Sequence, residues 1–245
     1  MSEFYKKPTN LYVSGQSKPW KISRSKIELF MGCKRCFYLD RKLGVSRPPG
    51  FPFNLNTCVD SLLKSEFDIY RAKAERHPFM PEGLIPFEHE MMDEWRQNFK
   101  GVRYVHPETN FLITGAVDDL WVDDKGIVAV VDYKSTSKHA KITALNEAWQ
   151  DGYKRQMEIY QWLLRKNGIP VASTGYFVYC NGDAEAGKFD KKINFEVNTI
   201  PFVGDDSWVD DTLIEIKKCL DDKKIPDYNS NCDYCKYQLM CAQLL

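Results

Sequence analysis

Apolar positions along the chain follow two periods. Leu55, Val59, Leu62, Leu63, Phe67 and Tyr70 recur at three- and four-residue steps, which predicts a helix over 55–73. Trp149, Tyr153, Tyr160, Leu163 and Leu164 form a second such stripe in a helix over 146–166, stopped by Asn167-Gly168-Ile169-Pro170. A helix over 23–43 opens with Ser25 and Glu28, spaced as a capping box, and ends before Arg47-Pro48-Pro49-Gly50-Phe51-Pro52. Further helices are predicted near 87–99 and over 207–220. Strand patterns occupy 111–122 and 127–136, around Asp123-Asp124-Lys125-Gly126, and then 172–180 and 189–197. Residues 1–22 read as a loose N-terminal arm. The order predicts an α/β (α+β) chain with a mixed central sheet flanked by helices. It forms one domain over 23–245, with a helical part at 23–110, a core at 111–200 and a cysteine-rich end at 201–245.

Composition narrows the function classes. The 245 residues carry 34 Lys and Arg against 34 Asp and Glu, so no charge-driven nucleic-acid tail is present. At 43% apolar residues the chain can build a core. No apolar run reaches the roughly 18 residues of a membrane span. The start MSEFYKKPTN lacks a signal-peptide core, so a cytoplasmic protein without membrane contact is expected. Locally, residues 18–47 hold nine basic and two acidic side chains interleaved with Trp20, Phe30, Phe37 and Tyr38. That pattern suits a phosphate-tracking surface with stacking platforms, or simply a solvated helix face. His77, His89, His106 and His139 read as ordinary surface residues.

The hairpin carries the chemistry. Ile127-Val128-Ala129-Val130-Val131 is continuously apolar, as in a strand buried on both faces, and runs into Asp132-Tyr133-Lys134. Asp132 and Lys134 share a face. With Gly126 as the left-handed residue of a three-residue loop, Asp123 opposes Ile127 and Asp118 opposes Asp132. Two carboxylates about 5 Å apart repel by about 3 kcal/mol at an effective dielectric of 20. A divalent cation removes that cost, which predicts an oxygen-rich Mg²⁺ or Mn²⁺ site beside Lys134. A structural Asp132–Lys134 ion pair is the alternative, and a four-residue loop would shift the register. Asp119, Asp123 and Asp124 read as solvated turn and edge residues. On the long helix Gln156 lies within the apolar stripe with Tyr160 four residues on; such a glutamine is either a satisfied core residue or lines a polar cavity.

In order, Gly115-Ala116-Val117-Asp118, Asp132-Tyr133-Lys134 and Gln156-Met157-Glu158-Ile159-Tyr160 resemble the GxxD, DYK and QxxxY motifs of the PD-(D/E)XK nuclease superfamily. The nearest likeness is to its RecB-like branch, which includes CRISPR-associated exonucleases and AddB-type subunits. The resemblance implies a restriction-endonuclease-like fold and hydrolysis of DNA phosphodiesters, with single-stranded ends as substrate. It implies that Asp118, Asp132 and the Tyr133 carbonyl hold the metal. Lys134 would then act on the water and the developing charge, and Gln156 and Tyr160 would brace the site. A helicase or CRISPR-type protein partner is a further implication. Relatives carry a metal-binding histidine where this chain has Asp60, which either ligates or pairs with Lys64 at i, i+4.

Eight cysteines complete the inventory. Cys232-Asp233-Tyr234-Cys235 with Cys241 makes a C-x2-C-x5-C cluster, a metal-ligand spacing. The resemblance supplies Cys33 as fourth ligand of a clasp holding a 4Fe–4S cluster, with Cys36 as the rival fourth ligand. Four thiolates alone fit zinc equally. Cys58, Cys180 and Cys219 read as small buried apolar residues.

Overall fold

The computed structural model describes residues 9–244; of the expected arm over 1–22, residues 1–8 lie outside them. In chain order the elements are β1 (Trp20–Ser23), α1 (Arg24–Gly32), α2 (Lys34–Arg41), α3 (Asn54–Arg71), β2 (Ile85–Pro86), α4 (Met92–Trp95), β3 (Val102–His106), β4 (Phe111–Gly115), β5 (Asp119–Val122), β6 (Val128–Thr136), α5 (Asp151–Lys166), β7 (Thr174–Gly182), β8 (Phe195–Val203), α6 (Val209–Asp221) and α7 (Asp233–Ala242). The strands form two sheets, ordered β1-β4-β3 and β2-β5-β6-β7-β8. The mixed α/β class is as expected, with helices flanking two sheets rather than one. Among the described residues no helix is long and apolar enough to cross a membrane.

Two compact units emerge. The first collects the chain up to Phe51, Tyr104–Thr114 and the chain from Ser207; the second collects Pro52–Arg103 and Gly115–Asp206. In the second unit, β6 lies between antiparallel β5 and parallel β7. Its run Val128-Ala129-Val130-Val131-Asp132-Tyr133 is wholly buried, as continuous apolarity predicts. Strand alternation sorts its side chains. Val131 and Tyr133 join Val59, Leu63 and Phe67 of α3 with Trp121 in one apolar cluster. Asp132 and Lys134 face the other way, toward α5. Burying Phe67 alone contributes about 1.5–3 kcal/mol. Gly115 permits the approach of α5, because a Cβ there would meet Tyr160 Cε1 at 2.7 Å.

The first unit packs Trp20, Ile22, Phe111 and Ile113 with Ile27, Phe30 and Phe37 and with Val209, Leu213 and Ile216, all buried. Trp20 meets Phe111 edge to face at 5.2 Å. This arrangement corrects three expectations. Residues 20–22 form a strand. The helix over 23–43 breaks at Cys33, and Ser23 is the N-cap, so Ser25 and Glu28 make no capping box. The aromatics of the basic stretch, Trp20, Phe30, Phe37 and Tyr38, are core residues rather than stacking platforms. Its charges are also engaged. Lys26 and Arg41 pair with buried Asp40, Lys34 with Glu215, and Arg35 bonds the Pro226 carbonyl.

Other boundaries moved as well. The strand expected over 111–122 is two strands in different sheets, parted just before Asp119. The last strands sit later than expected, at 174–182 and 195–203. The helix near 87–99 shrinks to Met92–Trp95. His77 and His106 are buried, the first bonded to Glu66 and the second to Thr109, which corrects their reading as surface residues. Cys58 is exposed rather than buried, and Cys219 is partly so.

Candidate metal centres

The hairpin keeps the expected register. Asp119 opposes Val131 and Val122 opposes Val128. Gly126 takes φ +78°, the left-handed turn residue, while Asp123 accepts from the Ile127 amide at 2.8 Å. Asp118 stands one step beyond the ladder, across from Asp132. Its Oδ2 accepts from the Tyr133 amide at 2.9 Å, which ties the two strands at their open end.

Asp132 is fully buried. Gln156 Nε2 donates to its Oδ1 at 2.7 Å and to the Tyr160 hydroxyl at 3.1 Å. Lys134 forms an ion pair with it, and the Lys134 ammonium also lies 4.6 Å from the Tyr153 ring centre. Asp118, Asp132, Tyr133, Lys134, Gln156 and Tyr160 thus converge in the second unit.

Asp60 reaches the same neighbourhood through a shared cation. Lys64 Nζ bonds Asp60 Oδ2 at 2.9 Å and Asp118 Oδ1 at 3.4 Å. The i, i+4 pair weighed for Asp60 is therefore formed. Burial, then the Asp118 charge, push the Asp60 pKa up. Burial opposes the Lys134 ammonium, but Asp132 and Asp118 overcome it and raise its pKa.

The donors near Lys134 are oxygens, the set a hard Mg²⁺ or Mn²⁺ takes, and Asp118 and Asp60 already share one positive charge between them. Among the described residues, the group of three or more ligating side chains that converges within 4.8 Å is composed of cysteines instead. Asp118 and Asp132 remain the candidate carboxylate pair, and Asp60 is paired with Lys64.

Asp119 was misread. It is fully buried, not a solvated edge residue. Its Oδ1 takes Arg71, Arg96 Nη2 at 2.9 Å and the Leu120 amide at 2.8 Å; its Oδ2 takes the Tyr133 hydroxyl at 2.7 Å. Burial and that carboxylate push the Tyr133 phenol well above its ordinary pKa. Both Asp119 oxygens are occupied, so it is a structural charge.

A cavity of about 910 Å³ opens along the far end of β6. Ser135, Thr136, Tyr153, Phe53, Lys192 and Phe189 line it, and Tyr153 connects it to Lys134. Phe53 and Phe189 are 75% and 72% exposed there. No local period in the sequence marks this surface, since its members come from four separate segments.

The second centre lies in the first unit. Cys33, Cys36, Cys232 and Cys235 are all buried, with their sulfurs within 4.8 Å of one another. Cys33 faces Cys235 at 3.5 Å and Cys36 faces Cys232 at 3.7 Å. Cys36 therefore joins Cys33, and the expected ligand Cys241 stands outside the group. The signal for this was present in the sequence: C-x2-C occurs twice, at 33–36 and at 232–235. Burial pushes the Cys36 thiol up to about 12. Burial also opposes the Cys232 thiolate, yet the Cys235 amide, the Cys36 and Cys33 thiols and Arg47 bring its pKa down to about 7.

The family model of the PD-(D/E)XK nuclease superfamily matches residues 21–242. No curated protein matches the chain. Among solved structures, the chain is similar to "Crystal structure of SSO0001", at 14% identity over 96% of this chain and 90% of that one. The TM-score is 0.36.

Proposed function

The chain belongs to the PD-(D/E)XK nuclease superfamily, and from that membership we propose that it is a Mg²⁺- or Mn²⁺-dependent deoxyribonuclease of the RecB-like branch. Its substrate is DNA, cut from single-stranded ends. Asp118, Asp132 and the Tyr133 carbonyl would hold the cation, with Asp60 joining when it leaves Lys64. When bound, the cation supplies an activated water and offsets phosphate charge.

The chain's own residues do the rest. Lys134 places an ammonium beside Asp132, where it would orient the attacking water and steady the charge developing on the phosphoryl oxygens. Gln156 fixes the Asp132 carboxylate through Oδ1 and is itself aligned with Tyr160 on the next turn of α5. Tyr153 supports Lys134 from below and leads into the cavity beside β6. Exposed Phe53 and Phe189 give unpaired bases a surface to stack on, at about 1–3 kcal/mol per base. That feature supports a single strand over a duplex, whose bases are already stacked.

The observation that carries the reading is Asp132: a fully buried carboxylate at the end of a core strand, set between Lys134 and Gln156 and across from Asp118. A cytoplasmic location and a helicase or CRISPR-type partner belong to the same proposal. The test is cleavage of end-labelled single- and double-stranded DNA and of RNA, with Mg²⁺, Mn²⁺ or EDTA. Metal-dependent shortening of single strands from their ends is expected. Internal cuts alone would remove the exonuclease reading, and no cleavage with either metal would remove the catalytic one.

A further inference from the structure

We infer that Cys33, Cys36, Cys232 and Cys235 hold a single tetrahedral metal ion of the zinc type, and that Cys241 is not a ligand. All four cysteines belong to the first unit, so the site stands apart from the nuclease reading.

Spacing decides between one ion and a cluster. Four thiolates around one zinc sit about 2.3 Å from it, so the edges of their tetrahedron are about 3.8 Å. The opposed pairs here are 3.5 and 3.7 Å apart, and all four sulfurs fall within 4.8 Å of one another. In a 4Fe–4S cube each thiolate bonds its own iron at a separate corner. The sulfurs then stand a full iron–iron edge further apart than around a shared ion. The cluster implied by family resemblance does not fit this pocket.

Local structure repeats itself at the two halves of the site. Cys33 is the N-cap of α2, with Cys36 in its first turn; Cys232 is the N-cap of α7, with Cys235 in its first turn. The Cys36 amide donates to Cys33 Sγ at 3.4 Å. Each C-x2-C therefore presents two sulfurs at the positive end of a helix, where thiolate charge is favoured. Cys241, near the end of α7, is more than a turn removed and only partly buried.

The surroundings answer the charge of such a site. Four thiolates around a divalent ion leave two negative charges inside the protein. Arg47 Nη2 donates to Cys232 Sγ at 3.3 Å, with its guanidinium 4.5 Å from the Tyr234 ring centre. It supplies a fixed compensating charge of the kind that orients and tunes metal ligands. Arg47 comes from the basic stretch over 18–47, so this lysine- and arginine-rich segment serves the metal site at its far end.

The test uses the full chain, purified without added metal under both aerobic and anaerobic conditions. One equivalent of zinc, or of iron without sulfide, is expected. Cys241→Ser should keep that equivalent, and Cys36→Ser should lose it. Should Cys36→Ser not accumulate, cobalt exchanged into the unmodified protein reads the ligands directly, and the spectrum of tetrahedral all-thiolate cobalt is expected. Four irons with four sulfides, kept by Cys36→Ser and lost by Cys241→Ser, would overturn the inference. So would a metal-free protein carrying two disulfides, or any cobalt spectrum with fewer than four thiolates.

Discussion

Asp118 and Asp119 are neighbours in sequence and opposites in environment. Asp119 is fully buried, and four donors from Arg71, Arg96, Tyr133 and Leu120 close both of its oxygens. The Asp118 side chain is 21% exposed and shares Lys64 with Asp60. One carboxylate is saturated by four fixed donors; the other takes one backbone amide and a lysine it shares with Asp60, and is partly open to solvent. The alternation of β5 accounts for the split, since adjacent side chains leave a strand on opposite faces. A saturated charge holds structure together. An incompletely matched one, next to Asp132 and Lys134, is where a cation and a phosphate can act.

The sharpest way to break this contrast is at Asp132. Asp132→Asn keeps the shape and the Gln156 contact but removes the charge, and cleavage should fall by about 10²–10³-fold or more. Unchanged cleavage would place the chemistry elsewhere. Lys134→Ala should lose turnover comparably while metal binding, read by calorimetry, persists.

Asp119→Ala should do the reverse. It leaves Arg71 and Arg96 sharing Asp68 alone as their carboxylate partner, and breaking a buried pair costs about 3–5 kcal/mol. Denaturant unfolding should show that loss, whereas Asp118→Ala should leave stability nearly intact and abolish cleavage. Equal stability losses in the two variants would erase the distinction between them.

Gln156→Ala tests a residue that acts through Asp132. Cleavage or metal affinity should drop by about 10–100-fold, and a Glu replacement should not rescue it, because a carboxylate cannot donate to Asp132. A lower melting temperature with normal cleavage would make Gln156 a core amide only.

The smallest effect concerns Asp68, which Arg96 bonds at 2.8 Å and Arg71 at 3.0 Å. Burial works against its carboxylate, but the two guanidinium groups hold its pKa below the ordinary value. A depressed folded pKa stabilises above the unfolded pKa of about 4 and ceases to do so as pH falls through the folded value. Melting temperatures of the parent and Asp68→Asn should therefore differ modestly at pH 7 and converge toward pH 2. A gap that is the same at both ends would assign the effect to packing.

What could be read from the sequence was local. Gly126 and the apolar run of β6 set the hairpin register, and register alone placed Asp118 across from Asp132. The i, i+4 relation of Gln156 and Tyr160 likewise followed from helix geometry. What escaped depended on distant partners. Asp119 looks like any turn carboxylate until Arg71 and Arg96 arrive from 48 and 23 residues away. The break between β4 and β5 is marked by Gly115 and by Asp118-Asp119, but Ala116 and buried Val117 between them carry the apolar pattern across it. Cys36 entered the sequence reading only as the rival of Cys33, with Cys241 kept as a ligand, because three cysteines close in sequence weigh more than two pairs far apart; the structure groups the two C-x2-C pairs.

The two C-x2-C pairs also impose a timetable on synthesis. Cys36 and Cys232 are 196 residues apart. At the about 5–20 residues per second of translation, the first pair waits about 10–40 s for the second. Residues of the second unit, ending at Asp206, precede α7 entirely. The nascent chain can therefore complete its carboxylate-bearing half while the other half still lacks two sulfurs. Throughout that interval Cys33 and Cys36 stand without the two sulfurs that complete their group.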